Sequence, residues 1–102
     1  MGARLEIVVE RIRALLANER GRPSRERMEW TLTEGYAEAL ALDGERLRIE
    51  RRIDDVTAQI ARGRAQADEL RELIERQEDV QHELAQLREL LASLRVRAAR
   101  AA

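Results

Sequence analysis

Cysteine is absent from this 102-residue chain, which excludes disulfides and thiolate metal sites. Phenylalanine is also absent, and one Trp and one Tyr make up the aromatic complement. Little is left to fill a thick globular core, and no basic surface carries interleaved rings on which unpaired bases could stack. Strand-favouring residues are few and never alternate, which argues against sheet. No apolar run approaches the ~18 residues that a membrane-spanning helix needs. Glu6 stands where a myristoylation signal carries Ser or Thr. Glu6, Glu10 and Arg11 interrupt the only stretch, residues 5–16, apolar enough for a secretory signal core. The expectation is a cytoplasmic protein without membrane attachment.

Catalytic constellations are missing as well. There is no Gly-rich phosphate loop, no HExxH-type spacing, and no nucleophile beside His82, the single histidine. The carboxylates are spread along what read as solvated helix faces, where little shifts a pKa. These observations point away from an enzyme, and no cofactor is expected.

What the chain does have is Ala, Leu, Glu and Arg in quantity, with 38% of residues charged. That composition favours long helices and coiled coil. The 19 basic residues, all arginine, balance 20 acids to a net charge of −1. Such balance suits faces laced with ion pairs better than it suits a nucleic-acid footprint.

Hydrophobic periodicity predicts a first helix over residues 3–20. Leu5, Val8, Ile12 and Leu15 recur at spacings of three and four, with Val9 and Leu16 widening the stripe. Gly21 and Pro23 end it, and Ser24 offers an N-cap hydroxyl to the next helix, so residues 21–24 read as a tight elbow. From Arg25 a heptad seam runs through Met28, Leu32, Gly35, Ala39, Leu42, Arg46, Ile49, Ile53, Val56, Ile60, Gly63, Ala67, Leu70, Ile74 and Gln77. It resumes one residue early as Val80, Leu84, Leu87, Leu91, Leu94 and Ala98, which reads as a stammer at Gln77.

The phase passes through Gly63 without a slip, and a lone helical Gly costs only about 1 kcal/mol. A single helix over residues 25–98, roughly 110 Å long, is therefore favoured. The alternative is a hairpin broken near Gly63. Residues 99–102 read as a short frayed tail.

A long amphipathic helix cannot cover its own seam. Acids flank the seam early (Glu38, Asp43, Glu45, Glu50) and bases flank it late (Arg64, Arg71, Arg88, Arg95, Arg97). Antiparallel pairing brings the two together, either between two chains or within one hairpin. The expected fold is an all-α, antiparallel bundle or coiled coil in one domain, with helix 1 folded back on the long helix. Thr33, Ala37, Ala41 and Gly44 form a small-residue strip on which helix 1 would lie, with Trp30 and Tyr36 helping to close the bundle.

Candidate sites are weak. Asp79 and His82 imitate a carboxylate-x-x-His metal ligand pair, but Val80 and Leu84 face the seam and turn His82 outward, so no metal is expected. Arg20, Arg22, Arg25 and Arg27 around the elbow could contact an anion, although Glu19, Glu26 and Glu29 are interleaved with them. Arg95, Arg97 and Arg100 make a basic last turn, which the helix dipole favours in any case. Gln77 is a polar seam position that could select register. Together these features predict a non-catalytic scaffold or adaptor, most simply an antiparallel homodimer docking an unidentified protein. The rivals are a small nucleic-acid-associated protein using the arginines and a helical chaperone whose seam a client helix completes.

Overall fold

The structure, a computed structural model, describes residues 2–17 and 23–101. They form three α-helices: α1 (Ala3–Ala17), α2 (Arg25–Ala61) and α3 (Ala67–Arg100). Gly2 precedes helix α1, and its carbonyl accepts from the amides of Leu5 and Glu6. Its buried face is Leu5, Val8, Ile12 and Leu15, the residues its periodicity selects. The last residues expected in this helix, 18–20, and positions 21 and 22 of the elbow lie outside the described residues. Ser24 caps α2 as expected. Its Oγ accepts the Arg27 amide at 3.1 Å and its carbonyl accepts that of Met28.

The continuous helix over residues 25–98 gives way to the hairpin alternative. Helix α2 ends in a Schellman turn, in which the Arg64 amide donates to Gln59 O at 2.9 Å and the Gly63 amide to Ile60 O at 3.0 Å. Gly63 takes φ +70°, the left-handed conformation that this turn demands and that glycine adopts without a Cβ clash. Helix α3 then begins at Ala67 with Asp68 and Glu69 in its first turn, where acids complement the macrodipole.

This break also removes the stammer. Within α3 the seam positions Leu70, Leu73, Gln77, Val80, Leu84, Leu87, Leu91, Leu94 and Ala98 are buried or half-buried and follow one another in steps of three and four. Leu73 occupies the seam, and Ile74, which the continuous phase had selected, is exposed. The missing residue that read as an overwound helix is a new helix starting in its own phase.

The chain groups into two compact units, Met1–Leu40 with Ala85–Ala102, and Ala41–Leu84. The first is a three-helix bundle. Ile12 and Leu94 are completely buried in it, as are nearly all of Val8, Met28 and Leu91. Helix α1 runs antiparallel to α2, with Arg11 bound to Glu34 at 2.8 Å and Arg4 to Glu38 at 3.3 Å. Helix α3 runs parallel to α1, and the Arg97 guanidinium donates to the Leu16 carbonyl at the end of α1.

The small-residue strip does not receive α1. Ala37 and Ala41 are exposed, and a Cβ on half-buried Gly44 would meet only Arg48 of its own helix, at 3.6 Å. The close approach is made at Gly35 instead. A Cβ there would overlap Leu91 and come within 3.6 Å of Ile12 Cδ1. Gly35 sits in the seam, where all three helices meet, whereas the strip lies on the flank and back of α2.

The second unit is a two-helix coiled coil. Leu42, Ile49, Val56, Leu73, Val80 and Leu84 are buried in it, and Ile53, Ile60 and Leu70 are half-buried at its thinner positions. The acidic half of α2 meets a base of α3 in this hairpin at Arg76, a residue outside the flanking set expected. Glu45 binds Arg76 at 3.2 Å, while Arg52 of α2 binds Glu69 at 2.6 Å.

Candidate interaction face

With the seam covered by the chain's own helices, the large apolar side chains left exposed become informative. In the three-helix unit α2 leaves Trp30 67% exposed, Tyr36 45% and Leu40 75%. Trp30 and Tyr36 are the whole Trp, Tyr and Phe content of the chain. Neither closes the bundle as expected. Counting from the core-facing positions Met28, Leu32, Gly35 and Ala39 at 100° per residue, Thr33 and Leu40 project from the flank of α2 opposite Glu34 and Glu38. Because Glu34 and Glu38 are held by α1, this flank faces away from α1. Trp30 and Ala37 lie on the back of the helix and extend the surface.

The corresponding flank of α3 is small and basic. Arg97 marks the side of α3 turned to α1. The opposite side carries Ala85, Ala92 and Ala99, all exposed, with half-exposed Val96 and the exposed Arg95 beside them. A shallow depression lined by Ser24, Glu26, Arg27, Glu29, Trp30 and Thr33 continues the surface at the start of α2.

The remaining sequence candidates are dispersed. Arg20 and Arg22 lie outside the described residues. Arg25 is tied to Glu29 at 2.9 Å, and Arg27 projects from the exposed first turn of α2. Arg46, a charged residue in the seam, is held between Asp43 (2.9 Å) and Glu50 (2.8 Å), whose hydrogen bonds and charge raise its pKa above the usual arginine value. Gln77 is half-buried and His82 exposed. Among the described residues no group of three or more His, Asp or Glu is placed to hold a metal ion, and no helix is long and apolar enough to cross a membrane.

Glu83, in the two-helix unit, has a raised pKa. Partial burial is the main cause, and the charges of Glu45 and Asp79 add to it against the opposing pull of His82.

Comparison with protein-family models, with curated proteins and with solved structures finds no match to this chain.

Proposed function

We propose that the chain is a non-catalytic helical scaffold that self-associates and docks protein partners through the outer face of its three-helix unit. The observation that carries this reading is the placement of Trp30, Tyr36 and Leu40. A chain this poor in aromatic residues leaves both of its rings in water, on the helix that also exposes Leu40. Exposed apolar patches mark interaction surfaces, and Trp and Tyr are the residues most often found at their energetic centres.

The same logic weighs against one rival reading. A chaperone awaiting a client helix needs an open seam, and this seam is occupied by α1 and α3.

Replacing Trp30 and Leu40 together by serine tests the reading. Both side chains are mostly in water, so the isolated fold should keep its helicity, while association should weaken by at least tenfold. A pair of substitutions that lowered stability as a core change does, by about 2–5 kcal/mol, without altering association would instead make the face part of the fold.

A further inference from the structure

We infer that the occupant of this face is a second copy of the chain, packed so that α2 of each protomer lies antiparallel on α3 of its partner about a twofold axis parallel to the helices. This deepens the self-association proposed above and rests on it. The two flanks turned away from α1 differ in both size and charge. That of α2 carries the large Leu40 with Trp30 at its edge, together with the acid Glu26, while Glu29 is already paired with Arg25. That of α3 carries Ala85, Ala92 and Ala99 with Arg95, and Arg100 at its edge. Placing α2 on a partner's α2 would set bulk against bulk and acid against acid. Placing α3 on α3 would set arginine against arginine around a shallow, loosely filled contact. Only the mixed pairing fits large to small and acid to base, and a twofold axis parallel to the helices generates it twice.

That axis also fixes the register. A rotation about a line parallel to the helices moves nothing along them, so residues level within one chain stay level across the pair. Gly35 and Leu91 define the level within the three-helix unit. Counting outward at the same rise in opposite directions brings Trp30 level with Val96, Thr33 with Ala92 and Ser93, and Leu40 with Ala85 and Gln86. Glu26 comes level with Arg100, and both are exposed. Across the pair, Leu40 of one protomer covers the small side chain at position 85 of the other, Trp30 lies over position 96, and Glu26 reaches position 100. The register that packs the core thus aligns the outer surfaces as well, without a further adjustment.

The absence of native cysteine makes the arrangement directly testable by cross-linking. Thr33→Cys and Ala92→Cys are each made alone in the full chain, at exposed central positions of the two flanks. Each variant is oxidised by itself and after mixing, with helicity and melting checked against the unmodified chain. The mixture should give a covalent dimer several-fold more abundant than either variant alone. Strong cross-linking of Thr33→Cys by itself would put α2 on α2 and overturn the arrangement. A doubled mass in sedimentation with no cross-link in the mixture would move the interface elsewhere and leave self-association standing. A chain that sediments at 11.8 kDa at every concentration would end both and leave the face to a different protein.

Discussion

The side chain of Leu91 occupies the space that a β-carbon on residue 35 would need, so α2 and α3 meet at Gly35 more closely than any other residue would allow. Ile12 of α1 closes the third side of the same point. A helix-interior glycine is ordinarily a weakness of about 1 kcal/mol relative to alanine. Here it admits two branched side chains to the centre of the bundle.

Gly35→Ala should therefore destabilise the chain despite its better helix propensity. Forcing a methyl group against Leu91 costs about 1–3 kcal/mol, more than the propensity gain. Gly44→Ala is the control, because its methyl would meet only Arg48 at an ordinary 3.6 Å. That variant should gain up to about 1 kcal/mol. Chemical denaturation of the two variants should move the midpoint in opposite directions.

Gly63→Ala should shorten or distort the hairpin turn. Nothing lies within 4 Å of the added Cβ, so the effect isolates the backbone. Holding a non-glycine residue at φ +70° costs roughly 1–2 kcal/mol. The midpoint of unfolding should fall accordingly, with the helical signal of the folded state unchanged.

Arg97→Ala should loosen the end of α1. The guanidinium satisfies the Leu16 carbonyl, one of the last acceptors of a helix that has no basic residue in its own final turn. Loss of that hydrogen bond and its charge should cost about 1–2 kcal/mol. Amide exchange should accelerate in the last turn of α1 more than in the hairpin unit.

Glu83→Gln should change how stability depends on pH. The folded-state pKa of Glu83 is raised, chiefly by burial and further by Glu45 and Asp79. The folded state therefore binds this proton more tightly than the unfolded chain does. The resulting stabilisation is complete below the ordinary glutamate pKa and is lost as pH rises through the raised value. The variant should lack that loss and be modestly more stable than the parent chain at neutral pH, with the two converging in acid. An unchanged pH profile would mean that Glu83 titrates as if fully solvated.

Much of the fold was legible from spacing alone. The α1 stripe, the Ser24 cap and the α3 seam from Val80 to Ala98 all follow from local chemistry that nothing distant overrides. The hairpin turn was harder, because Leu70 and Gln77 satisfy both the phase carried over from α2 and the phase native to α3. Only the choice between Leu73 and Ile74 separates them, and both are good seam residues. A glycine in phase with a heptad looks like a weak seam position until the backbone shows it left-handed.

The interaction face was hidden for a different reason. Large rings usually carry core burial, which points Trp30 and Tyr36 at the bundle, yet their positions relative to Gly35 and Ala39 place Tyr36 on the flank and Trp30 on the back of α2. Likewise Thr33, Ala37, Ala41 and Gly44 form a strip of small residues, whereas the close approach is made at Gly35 in the seam. The Arg4–Glu38 and Arg11–Glu34 pairs mark the side that α1 takes, a long-range arrangement that no local period encodes.

The most direct test of the account combines sedimentation equilibrium with the emission of Trp30, the chain's single tryptophan, over ~1–200 µM. Self-association through this face should raise the average mass from 11.8 kDa toward twice that value. The emission should shift to the blue over the same concentration range as the indole leaves water. A mass that doubles while the emission stays that of a solvated indole would contradict the face, and a mass that never rises would contradict the association.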